Sequence, residues 1–129
     1  MSRIEHTAIF AADPSALKDY YIDLFGLRLA VDNSHATPPG YFLADDAGMA
    51  LEIIGRPSDV PAVPTRHVCH TAFVVKDFDA ALADLARRGI AIEEGTRVDN
   101  QAMRTVFFDD PEGNRCQIVW RPRPLVGGD

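Results

Sequence analysis

Four side chains interrupt otherwise apolar runs in this 129-residue chain: His6, Glu52, His70 and Gln117. His6 and His70 fall in 3–10 and 67–75, two runs read as β-strands. Each has small or apolar neighbours on its own face, Ile4 and Ala8 for one and Val68 and Ala72 for the other. Glu52 stands in Leu51-Glu52-Ile53-Ile54, where a carboxylate would rarely be buried without a partner. Gln117 occupies the matching place in Cys116-Gln117-Ile118-Val119. Two imidazoles, one carboxylate and one amide oxygen suit a divalent transition metal. Imidazole favours nickel, zinc, cobalt or iron, and the oxygen ligands also admit manganese. Plainer readings stand beside this one. A lone strand histidine is more often a hydrogen-bonded core residue than a ligand, and Glu52 or Gln117 alone could face water from an edge strand.

What ties the four together is an internal repeat. His6-Thr7-Ala8 returns as His70-Thr71-Ala72, 64 residues later. Asp13 and Asp77, Gly26 and Gly89, Asp45 and Asp110, and Gly48 and Gly113 keep nearly the same offset. So do Glu52 and Gln117, and Arg56-Pro57 and Arg121-Pro122. So many landmarks in one register indicate a duplication.

The elements that must position these residues follow from periodicity and punctuation. After the strand over 3–10, Asp13 is a good N-cap and Pro14 suits the first helical position. Leu17, Tyr20, Tyr21, Leu24 and Phe25 then recur with helical spacing, and Gly26 can take the left-handed C-terminal position. Strands are predicted over 27–31, 41–44 and 49–54, with a loop over 32–40 and a turn over 45–48. In the second half a strand over 67–75 leads to a helix capped by Asp77, carrying Phe78, Ala81, Leu82 and Leu85, and ended by Gly89. Strands over 90–93, 103–108 and 115–120 complete it. Asp109-Asp110-Pro111-Glu112-Gly113-Asn114 forms the last turn. The fold class is α+β: two tandem βαβββ modules whose curved mixed sheets enclose a shared cavity. Residues 1–56 form the first module, 57–66 a stiff proline-rich linker, and 67–129 the second module with its tail.

Composition narrows the partners. A formal charge of −6 and the absence of any basic run disfavour nucleic acid. No apolar stretch reaches the roughly 20 residues of a membrane helix. Met1-Ser2-Arg3 runs straight into a strand pattern, so no signal peptide is expected. Two cysteines make a poor disulfide framework and fit a reducing compartment, here the cytoplasm. Cys69 and Cys116 each precede a candidate ligand, so alternation turns them to the opposite face as thiols buried under the helices. His35 and His67 are expected to be exposed. Arg97 and Arg104 could meet an anionic substrate, although a solvated arginine is the safer reading. Asp109, Asp110 and Glu112 read as turn chemistry. Tyr20, Tyr21, Tyr41, Phe42, Phe107 and Trp120 could line an apolar cavity, although core packing explains most of them.

Taken together, the duplicated βαβββ pattern, the histidines of 6 and 70, Leu51-Glu52-Ile53 and the Asp110-Pro111-Glu112-Gly113-Asn114 turn resemble the vicinal oxygen chelate superfamily. Glyoxalase I, methylmalonyl-CoA epimerase, extradiol dioxygenases, and fosfomycin and bleomycin resistance proteins belong to it. The resemblance covers essentially the whole chain. It implies a divalent metal (nickel, zinc, cobalt, manganese or iron) held by His6, Glu52, His70 and Gln117, a small-molecule substrate and a homodimer. Its leading implication is isomerase, epimerase or lyase chemistry through a metal-stabilised enolate, with Glu52 as catalytic base. An iron(II) extradiol-type dioxygenase built on His6, His70 and Glu52 is the first alternative. A metal-free small-molecule or antibiotic-binding protein is the second.

One residue departs from the glyoxalase I pattern, which usually has glutamate where this chain has Gln117. A divalent ion with one carboxylate ligand keeps a formal local charge of +1, which makes it a stronger Lewis acid toward a bound oxyanion. The change also removes one possible base. Epimerase-like members use a glutamine ligand, but in the other half. The departure weighs against glyoxalase activity itself.

Overall fold

The computed structural model describes residues 3–61 and 69–125. Part of the proline-rich linker, His67, Val68 and the end of the tail lie outside the described residues. The chain forms two compact units, Met1–Val63 and Pro64–Asp129.

The first unit runs β1 (His6–Ala11), α1 (Pro14–Phe25), β2 (Arg28–Asn33), β3 (Gly40–Ala44) and β4 (Ala50–Gly55). Its sheet has the order β1-β4-β3-β2, with β1 parallel to β4 and the other pairs antiparallel. The second unit repeats this with β5 (Thr71–Val74), α2 (Phe78–Arg87), β6 (Glu93–Asp99), β7 (Arg104–Asp109) and β8 (Arg115–Trp120). Its sheet order is β5-β8-β7-β6, again with only the first pair parallel. No helix among the described residues is long and apolar enough to cross a membrane.

Local chemistry starts and stops these elements as the sequence requires. The Asp13 carboxylate accepts from the Ala16 amide at 3.0 Å and Pro14 opens α1; Asp77 does the same for α2 through Ala80. At the far end of α1, Gly26 takes φ 67° and its amide reaches the Ile22 carbonyl. The β3–β4 and β7–β8 turns are copies of one another. Asp45 Oδ1 accepts from the amides of Ala47 and Met49, and Asp110 Oδ1 from those of Glu112 and Asn114. Gly48 and Gly113 sit at φ 92° and 84°, a conformation other residues adopt only with strain. The Asp-Pro-Glu-Gly-Asn run is therefore a folding device, as read from the sequence.

Each unit has a core between its helix and one sheet face. Leu17 and Tyr21 of α1 are buried with Leu43, Leu51 and Ile53. Phe78 and Leu85 of α2 are buried with Val106, Phe108, Cys116 and Ile118. Fully burying a side chain of this size is worth about 1.5–3 kcal/mol, so these faces hold each helix to its sheet.

Boundaries differ from expectation at three places that matter. β1 begins at His6, and β5 begins at Thr71, so His6 opens its strand and His70 immediately precedes one; neither lies mid-strand. β6 occupies Glu93–Asp99 instead of 90–93. The Ile90 amide still bonds back to the Leu85 carbonyl, so the chain is leaving α2 there and cannot yet join the sheet. β6 then pairs with β7 through an irregular register between Glu93 and Val98. Within that irregular stretch the Thr96 hydroxyl donates to the Glu93 carbonyl and accepts from the Phe107 amide.

Candidate functional site

The side-chain parity of β4 selects the site face of the first unit. Leu51, Ile53 and Gly55 are buried on the helix side, which turns Ala50, Glu52 and Ile54 to the opposite face. Register then sets the neighbours of Glu52. Its cross-strand partners are Ala8 on β1 and Phe42 on β3. His6 lies two residues before Ala8 and shares its face. The ring of His6 meets Phe42 edge-on, with centroids 5.2 Å apart at 81°. Its Nε2 stands 3.4 Å from Glu52 Oε1, and its Nδ1 is 2.9 Å from Glu5 Oε1.

This arrangement has an electrostatic consequence. A contact of 2.9 Å between Nδ1 and a carboxylate oxygen requires the ring proton on Nδ1. In the neutral ring Nε2 then carries a lone pair, and it faces a second carboxylate. A histidine whose remote N–H is held by a carboxylate is how proteins orient metal-binding imidazoles.

The second unit repeats the pattern with different chemistry. Gln117 pairs with Ala72 on β5 and Phe107 on β7, and His70 lies two residues before Ala72. His70 meets Phe107 edge-on at 4.9 Å and 79°. The Gln117 amide nitrogen donates to Thr105 Oγ1 at 2.6 Å, and the Thr105 hydroxyl donates to the Ile118 carbonyl at 2.8 Å.

Thus the four predicted residues appear as two pairs, His6 with Glu52 and His70 with Gln117, each pair on the sheet face opposite its helix and each histidine backed by an aromatic ring. Among the described residues, no group of three or more His, Cys, Asp or Glu side chains gathers as a metal cluster. The donor chemistry fits a divalent transition metal. The imidazole and the carboxylate of the first unit are held side by side, and the amide of the second has its nitrogen engaged by protein.

Several other expectations change. Arg104 donates to Asp99 and Asp79 and lies 4.7 Å over the Phe78 ring, while Arg97 pairs with Glu94 and lies over the same ring. The hydrogen bonds to Asp79 and then Asp99 raise the Arg104 pKa, and the first of them lowers that of Asp79. Both arginines therefore sit against α2, away from the Gln117 face. The arginine on the Gln117 face is one the sequence reading overlooked, Arg115. Its side chain is 2% exposed, grips Glu93 through two bonds of 2.6 and 2.7 Å, reaches Asp109 at 3.4 Å and covers Phe107 at 4.8 Å. The bond to Glu93 is the main cause that raises its pKa, against the opposing effect of burial. The signal was available: Arg115 shares the parity of Gln117, a charge in an otherwise apolar strand, as Glu52 is. Cys116 is buried as expected, but Cys69 is exposed because it precedes β5, where no helix covers it. His35 is exposed. Among the described residues, Phe42 meets His6 and Phe107 meets His70. Tyr21 and Tyr41 are core residues, Tyr20 packs on Tyr21, and Trp120 pairs with Arg104.

The sequence pattern of the Glyoxalase/Bleomycin resistance protein/Dioxygenase superfamily matches residues 3–118, and the chain belongs to that family. An uncharacterized protein of Escherichia coli K12, YaeR, is 32% identical over 120 residues, covering 88% of this chain and 92% of its own length. Two solved structures share the fold. TnmS3, an antibiotic-binding protein from Streptomyces sp. CB03234, superposes with a TM-score of 0.75 at 21% identity, covering 94% of this chain and 97% of that one. Lactoylglutathione lyase from Agrobacterium tumefaciens superposes with a TM-score of 0.71 at 20% identity, covering 93% and 94%. The fold therefore serves both an enzyme and a binding protein.

Proposed function

We propose that the protein is a metal-dependent enzyme acting on a small substrate with neighbouring oxygens. His6, Glu52, His70 and Gln117 are the ligands of one divalent transition metal in this reading, and the working molecule is a homodimer. One observation carries it: a Glu52 carboxylate oxygen stands 3.4 Å from an imidazole nitrogen whose ring proton is already engaged by Glu5. An imidazole lone pair and a carboxylate oxygen side by side are donors that a divalent transition metal takes. Bound there, a divalent ion supplies Lewis-acid stabilisation of the anion that forms when a proton leaves carbon beside the substrate oxygens.

The chain supplies the rest. Glu52, half-buried on the site face beside Phe42, is the carboxylate placed to take a proton from carbon. Delivery of that proton by Glu52 to the neighbouring carbon gives isomerisation; epimerisation would need a second acid on the opposite face of the anion. Phe42 and Phe107 each brace one imidazole edge-on, which holds its ring plane. The likeness in fold to a lactoylglutathione lyase supports this class of reaction.

Elemental analysis of untagged protein grown with mixed trace metals, beside a His6→Ala/His70→Ala double variant, tests the reading. The expected result is about one transition metal per site, lost in the double variant. Glu52→Gln should abolish turnover of isomerase or epimerase substrates, by about 100-fold or more for loss of a general base. Wild-type protein that cannot be loaded with metal overturns the proposal. Iron, with catechol-dependent oxygen uptake, would replace it by the dioxygenase reading.

A further inference from the structure

We propose that Thr105 keys the Gln117 amide, fixing the carbonyl oxygen Oε1 as the ligand atom and making glutamine, not glutamate, the residue that position 117 requires. The inference rests on the metal reading above. Thr105 lies on β7, two residues before Phe107 and on the same face, and it is 2% exposed. Its Oγ1 is 2.8 Å from the Ile118 carbonyl oxygen. Two oxygens at that distance share a proton, and a carbonyl has none to give. The one hydroxyl proton of Thr105 is therefore committed to Ile118. What Oγ1 offers Gln117 is a lone pair, so the atom 2.6 Å away must be the amide NH2. The amide oxygen is thereby turned away from Thr105. A carboxylate in the same position would set oxygen against oxygen, unless Thr105 released Ile118.

The first unit shows why Glu52 is tolerated at the equivalent place. Thr105 pairs with Val119 as Gly40 pairs with Ile54, each pair two residues beyond the ligand position. Gly40 offers no hydroxyl, and it has no room for one. A Cβ there would lie 2.7 Å from the Ile53 carbonyl oxygen. The duplicated modules thus carry two coupled pairs, glycine with glutamate and threonine with glutamine. This single difference accounts for the asymmetry of the ligand set.

The test uses Thr105→Val, which removes the hydroxyl at nearly constant volume, and Thr105→Ser, which keeps it. The first readout is the side-chain amide NMR signal of Gln117 in metal-free protein, assigned by its loss in Gln117→Glu. The second is nickel(II) affinity by calorimetry. Wild type and Thr105→Ser should show a slowly exchanging, hydrogen-bonded amide pair; in Thr105→Val it should move to the position of a solvated amide. Nickel affinity should fall about 10-fold or more in Thr105→Val and recover in Thr105→Ser, the size expected for groups that orient a ligand. Gln117→Glu should destabilise the wild-type background and lose that effect when combined with Thr105→Val. An unchanged amide signal in Thr105→Val overturns the keying. A changed signal with unchanged nickel affinity overturns its role in ligand presentation. Wild type that takes up no nickel overturns the metal reading instead, and the amide signal alone then decides the keying.

Discussion

A buried guanidinium can stand in an apolar face only when its charge is met, and Arg115 shows how. It is clasped by Glu93 through two bonds, touched by Asp109 and laid flat on Phe107. Its partners are not buried with it: the side chains of Glu93 and Asp109 are 41% and 53% exposed. They can therefore rehydrate if the arginine is removed, so the loss should be smaller than for a pair buried at both ends. We expect Arg115→Ala to cost about 1–3 kcal/mol in urea denaturation, from lost charge-assisted bonds and lost cover over Phe107. Arg115→Met should recover half or more of that cost by restoring the cover. Equal losses for both variants would mean that the ion pairs, not the packing, account for the role of Arg115.

At the level of elements, the repeated turns make the same argument twice at different depths. Asp110 is 5% exposed, and its carboxylate accepts from the Glu112 and Asn114 amides and from the Asn114 side chain. Asp45 is partly exposed and accepts two from backbone. Asp110→Ala should therefore cost about 2–3 kcal/mol and Asp45→Ala about 1 kcal/mol, since an unmet donor is expensive only where water cannot reach it. Equal costs would remove burial from that explanation. These turns, both helix caps and the helix faces were legible in the sequence because each is a local rule written in neighbouring residues. β6 was not. Its Glu93-Glu94-Gly95-Thr96 start has neither alternation nor apolar residues, and its pairing with β7 depends on the Thr96 hydroxyl and an irregular register. The candidate pairs were legible through parity and repeat offset, which place both members of a pair on one face. The partners that tune them were not, because Thr105 and Glu5 act through cross-strand or ring-nitrogen contacts that no spacing announces.

Over the whole molecule, the duplication gives each unit its own helix-on-sheet core. Ile53 and Ile118 hold equivalent places beneath α1 and α2, with 0% and 1% exposure. Each packs within a core made by its own unit's helix and sheet. Ile53→Val and Ile118→Val should each lower stability by about 1 kcal/mol, the usual cost of removing one buried methylene. If each core is an independent reservoir of stability in a chain that unfolds as one, the double variant should lose the sum, about 2 kcal/mol, with an unchanged denaturant slope. A loss well short of the sum would mean that weakening one core is relieved by the other. A transition that splits in two would mean that each unit melts separately, and the variant affecting each step would then identify its unit. Matched substitutions at duplicated positions thus measure the cooperativity of the tandem fold directly, because the chemistry removed is the same on both sides.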